Sequence, residues 1–207
     1  MLFDDPTSLE PEDIVHWFEV CAAGLECEER EAHRQLGTQG QLSSTLTEVL
    51  SVGATREEIS DYFKACRREL EISALLMLTA SAEARLRLDA SIRMQNQDAL
   101  GKRLKVLRGN ARSEWMIPLY EDGIVDAWKA YIGSINLPVR ADRARLLASV
   151  GRFKNLLGVR HWVAHGRYWR IQRGIEHFPP DVAAGVVEDL YIALRAAAGL
   201  EGLPSFA

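Results

Sequence analysis

The sequence predicts an all-α protein, an antiparallel helical bundle. Three observations carry this. Apolar residues recur at steps of three and four along most of the chain, the spacing of one helix face. Helix-start chemistry stands ahead of several of these stripes. No apolar–polar alternation is long enough to need a sheet; only "YWRIQRGIEHF" (168–178) reads as a turn or short extended piece. With 207 residues, 47% hydrophobic and 26% charged, the chain has enough apolar material for a core without metal or disulfide staples.

The elements follow in order. Ile14, Phe18, Cys21 and Leu25 form a helical stripe behind an acidic first turn, Glu12 and Asp13. Gly37 and Gly40 break it, and a short helix is predicted from about Ser43 to Val52, stopped by Gly53. Thr55 and Glu58 have capping-box spacing and open a long helix. Its predicted stripe is Ile59, Phe63, Cys66, Leu70, Ser73, Met77, Ala80, Ala84, Leu88, the arm of a helical hairpin. Asn96 to Asp98 reads as a turn, and Asp98 caps a basic helix through Leu100, Leu104 and Leu107 that ends at Gly109 and Asn110. Pro118 and Gly123 mark a connection before an amphipathic helix, 123–134. Asp142 opens a helix with the stripe Leu146, Val150, Phe153, Leu157. Pro180 and Asp181 start the last one, through Val182, Val186, Leu190 and Leu194.

The net charge of −4 conceals an asymmetry. Residues 1–63 hold 14 acids and 3 bases, residues 64–112 hold 11 bases and 5 acids, and residues 139–173 hold 9 bases and a single acid, Asp142. A basic segment in an acidic chain suggests a local anionic partner; the alternative is internal neutralisation by the acidic N-terminal region. Cys21, Cys27 and Cys66 have no metal-ligand spacing and read as reduced thiols of a cytoplasmic protein. The N-terminus is acidic where a signal peptide is basic, and the most apolar run, "ISALLMLTASA", is too short to span a bilayer, so no membrane partner is expected.

The third segment contains "RHWVAHGRYW" (160–169). Continuing the stripe 146, 150, 153, 157 by three lands on Arg160, a guanidinium where an apolar residue should be. It must emerge at the helix end or face something negative. His165 lies about 140° further round a regular helix, and Gly166 is a natural terminator. Imidazole serves as base or acid near neutral pH, and guanidinium matches phosphate oxygens. Together these suit metal-free cleavage of RNA by its own 2′-hydroxyl. No carboxylates cluster around the motif in sequence, and no metal or cofactor is expected.

Arg160, polar His161, three more residues, then His165 and Gly166 resemble the Arg-x4-6-His signature of HEPN-superfamily domains. The resemblance covers roughly residues 55–207 and is strongest over 153–169; the acidic helical residues 1–54 lie outside it as an N-terminal extension. It implies a bundle of four or five helices, acting as a homodimer with the two motifs face to face across the interface. It also implies a metal-independent endoribonuclease, of the kind found in toxin–antitoxin and defence systems, with a cognate antitoxin as a further partner. Arg160 and His165 would then be catalytic. His161 stands where asparagine is commoner, as an orienting group or a second proton-transfer group. Arg152, Lys154, Arg167 and Arg170, with Arg173, form a candidate RNA-phosphate surface. Trp162, Tyr168 and Trp169 read as packing aromatics, and His16, His33 and His177 as structural or exposed. The competing readings are a structural helix-end cluster, a non-catalytic HEPN module that dimerises and binds RNA or nucleotide, and a helical DNA-binding regulator. The last lacks a recognition-helix arrangement.

Overall fold

A computed structural model describes residues 9–39, 42–50, 53–95, 98–112, 118–119, 122–136, 140–164 and 178–199. Among these are seven helices and no strand: α1 (Pro11–Gln39), α2 (Ser44–Val49), α3 (Arg56–Arg93), α4 (Ala99–Gly109), α5 (Ile124–Ser134), α6 (Arg140–Ala164) and α7 (Pro180–Gly199). The class is all-α. The candidate extended piece at 168–177 lies outside the described residues.

Local chemistry sets the helix ends. At α3, Glu58 N donates to Thr55 Oγ1 at 3.2 Å and Thr55 N donates to Glu58 Oε2 at 2.7 Å, the reciprocal pair of a capping box. Asp98 caps α4 by accepting from Gly101 N at 2.6 Å. The short α2 stops at Val49, earlier than the glycine suggests, because Leu50 is already extended; Gly53 then turns the chain at a φ of +95°. α5 has no side-chain cap at Gly123. Its first amides are satisfied by the preceding loop: Ile124 N donates to Pro118 O at 2.9 Å and Val125 N to Leu119 O at 2.8 Å. That approach is so close that a Cβ on Gly123 would stand 2.0 Å from the Pro118 carbonyl oxygen.

α3 organises the bundle. Its 38 residues span about 57 Å at 1.5 Å per residue, and it packs against α1, α4, α5, α6 and α7. α1 runs antiparallel to it: Leu9 and Glu10 meet Ser81 and Arg85 at one end, while Glu29 meets Arg67 and His33 meets Ser60 toward the other. The acidic N-terminal residues are therefore built into the packing, and Leu9 and Ile14 join the main core. A second, smaller core of Ala32, Ile59 and Phe63 joins the far halves of α1 and α3, with Leu42, Leu46 and Leu50 packed over it.

The predicted α3 stripe holds only at its start. Ile59 and Phe63 are buried, but Ser73, Ala80 and Leu88 are exposed. Beyond residue 70 the buried face runs through Ile72, Leu75, Leu78, Ala82, Leu86, Ala90 and Arg93. The segment 72–82 is apolar nearly all round, so periodicity alone does not fix its phase. The true face also carries two arginines that hydropathy would place in solvent. Arg85 is buried under α1, bonding Leu9 O at 3.1 Å and Glu10 Oε1 at 2.7 Å, with its guanidinium 5.1 Å from the Tyr191 ring centre. Arg93 is fully buried against Asp89 and Trp128. Both satisfy the rule that a buried charge needs a partner.

Candidate functional site

α6 positions the motif. Leu146, Val150, Phe153 and Leu157 are all buried, as their spacing predicts, and Leu156 and Val159 widen the face. Each large side chain sunk this way contributes on the order of 1.5–3 kcal/mol over exposure, which fixes the rotation of α6 about its axis. Arg160 follows on the same face but leaves the core. Its Nη2 reaches α3 and lies 2.9 Å from Glu83 Oε2, with Arg160 34% and Glu83 19% exposed. The other Glu83 oxygen, Oε1, accepts from Arg87 Nε at 2.9 Å and Arg87 Nη2 at 2.8 Å. One carboxylate thus sits between two guanidiniums, and the trio keeps a net positive charge.

Glu83 is the residue that sequence reasoning missed. The stretch around Arg160 contains no carboxylate, yet the fold brings one from another helix. The only trace in the sequence is Glu83 four positions ahead of Arg87, the spacing of a helical ion pair. Nothing in that spacing says that α6 ends beside it.

His161 is exposed on the last turn of α6 and Trp162 is half-buried. His165, Arg167, Tyr168, Trp169 and Arg170 lie outside the described residues. The remaining candidates, Arg152 and Lys154, are not gathered with Arg160. Lys154 Nζ lies 2.8 and 2.9 Å from the two carboxylate oxygens of Asp126 on α5. Burial works to raise the Asp126 carboxyl, but the Lys154 ammonium and the Asp122 amide outweigh it and hold the group below the usual range. Arg152 Nη2 pairs with Asp189 Oδ2 of α7 at 2.5 Å, both partners about half exposed. Such a pair is weak and readily exchanged for another anion. The three described candidate cations, Arg152, Lys154 and Arg160, therefore address three different helices.

Internal neutralisation occurs, but its sources differ between segments. The acidic N-terminal region supplies Glu10 to Arg85 and Glu29 to Arg67, both on α3. The basic stretch on α6 is met by Glu83, Asp126 and Asp189. Among the described residues no group of three or more His, Cys, Asp or Glu side chains is placed to hold a metal ion, and no helix is long and apolar enough to cross a membrane. A cleft of about 310 Å³ between α1 and α7, lined by Glu10, Glu12, Glu188 and Tyr191, shares no residue with the 160–170 segment.

No family model matches the chain, and neither a curated protein nor a solved structure is similar to it.

Proposed function

We propose that the chain is a metal-independent endoribonuclease of HEPN type, working as a homodimer in which two copies of the Arg160–His165 motif share one cleft. The observation that carries this reading is Arg160 itself. It is a partly exposed guanidinium near the C-terminal end of α6, held through Nη2 alone and followed five positions later by a histidine. Its Nε and Nη1 have no partner among the described residues and remain for phosphate oxygens. In the reaction, an imidazole takes the proton of the RNA 2′-hydroxyl as the 2′-oxygen attacks phosphorus. A second proton donor protonates the departing 5′-oxygen as the P–O5′ bond breaks, leaving a 2′,3′-cyclic phosphate and a 5′-hydroxyl. His165 and His161 are the assigned imidazoles, and Arg160 stabilises the charge on the crowded phosphorane.

The test is incubation of the purified protein with RNA in EDTA, with sedimentation of the same sample to establish the dimer. Cleavage should persist, should stop at a 2′-deoxy substitution of the cut site, and should slow by roughly 10²–10⁴-fold in His165→Ala. Unchanged cleavage in His165→Ala sinks the enzymatic reading. A non-catalytic module that dimerises and binds RNA or nucleotide is the second reading, in which the partly exposed Arg160 holds a phosphate without acting on it.

A further inference from the structure

Resting on the ribonuclease reading, we infer that Glu83 is the positioning residue of Arg160, and that Arg87 keeps its carboxylate from cancelling the charge it positions. A long arginine side chain loses rotamer freedom when it is fixed, so a guanidinium left loose at a helix end meets a phosphate at a cost. Glu83 removes that freedom by holding a single nitrogen, Nη2, at 2.9 Å. A carboxylate used this way would ordinarily neutralise the arginine. Here its second oxygen is occupied by two nitrogens of Arg87, at 2.9 and 2.8 Å, so the positive charge of Arg160 is not spent on its own support. The anchor is also rigid. Glu83 and Arg87 stand one turn apart on α3, next to the buried residues Ala82 and Leu86, and Arg87 is only 14% exposed. Oriented guanidinium, anchor and counter-charge are thus linked across two helices, as preorganised stabilisation of a developing anion requires.

The structure contains its own control. Glu29 and Arg67 form an ion pair between α1 and α3 with almost the same exposure, 18% and 32%, against 19% and 34% for Glu83 and Arg160. Glu29→Ala removes one such interhelical pair and Glu83→Ala removes its counterpart together with the Arg87 pair, so the second should cost somewhat more stability, and only the second should touch the chemistry.

The experiment measures cleavage of a short fluorescent single-stranded oligoribonucleotide of mixed sequence, in EDTA, by wild type, Glu29→Ala, Glu83→Ala, Arg160→Ala and Glu83→Ala/Arg160→Ala. Glu83→Ala should lower kcat by about 10²-fold, the size of a misplaced catalytic group, with KM little changed. Glu29→Ala should leave kcat at the wild-type value. In the Arg160→Ala background, removing Glu83 should cost nothing further, because the residue it positions is gone. Wild-type kcat in Glu83→Ala, or a full additional loss in the double variant, overturns the inference while leaving the ribonuclease reading in place. If the wild type does not cleave, that reading fails by itself, and the same variants are compared by affinity for the oligonucleotide. A loss shared by Glu83→Ala and Arg160→Ala and not repeated in the double variant keeps Glu83 as the positioning residue of a phosphate-binding arginine. Unchanged affinity in Glu83→Ala overturns it.

Discussion

Replacing Asp89 by alanine should be among the most damaging single changes in the molecule. Its carboxylate lies in the core between α3 and α5, with both oxygens 2.8 Å from Arg93 Nε. The Arg93 side chain is 0% exposed and Asp89 9%. The guanidinium carbon stands 4.4 Å from the centre of the Trp128 ring, which Tyr131 meets edge-on. Taking away one partner of a buried pair leaves the other charge uncompensated and costs about 3–5 kcal/mol. The Trp128 face, worth on the order of 2 kcal/mol to a desolvated cation, survives the substitution, which places the expected loss at about 3 kcal/mol. At about 2–4 °C per kcal/mol for a chain of this size, Tm should fall by about 6–12 °C. Asp89→Leu/Arg93→Met, which removes both charges and keeps the volume, should return to within about 1 kcal/mol of wild type or exceed it. The pH dependence has a definite sign. Burial raises the Asp89 carboxyl despite Arg93 and Trp128, so its contribution is full below the unfolded-state value and is lost as pH rises through the higher folded-state value. That slope should steepen in Arg93→Met, where the stabilising guanidinium is gone, and vanish in the double variant. Urea unfolding followed from about pH 3, below the ordinary aspartate value, up to about pH 8, with m-values checked for constancy, measures all of this. A loss below about 1 kcal/mol for Asp89→Ala, or a double variant no better than the single, refutes the reasoning.

Two further outcomes concern the supports of α5 and α6. Gly123→Ala should push the Pro118–Leu119 loop off the start of α5 and break the bonds at Ile124 N and Val125 N. At about 1 kcal/mol each the loss is about 2 kcal/mol, and amide exchange at those two positions should accelerate; unaltered protection there would show that the loop gives way without consequence. Asp126→Asn should lower stability by about 0.2–1 kcal/mol, given the partial exposure of the Lys154 pair. Because the Asp126 carboxyl is held below its usual range, that contribution is present above the unfolded-state value and is lost as pH falls through the folded-state one. The difference between wild type and variant should therefore begin to shrink only as pH falls below about 4 and should close further into acid; a difference that does not shrink at all between about pH 4 and pH 2 contradicts the assignment.

The sequence by itself determined where helices start, how most of them end, and how α6 turns its face. These depend on neighbours within about four residues: the Thr55–Glu58 box, the Asp98 cap, and the unbroken run Leu146, Val150, Phe153, Leu157, all of which stand as their spacing requires. It also singled out Arg160, because a guanidinium on an apolar stripe is a conflict visible without coordinates. What the tertiary structure alone decided is the answer to such conflicts. Arg160 meets Glu83, Arg93 sinks beside Trp128, and Arg85 closes over Leu9 and Glu10, each pairing reaching a partner or packing surface that local periodicity does not identify. The phase of α3 beyond residue 70 belongs to the same class. Where a helix is apolar on every side, its own sequence offers several equivalent faces. The one that is buried is chosen by the helices that come to lie against it, because burial energy depends on the neighbours and not on the spacing alone.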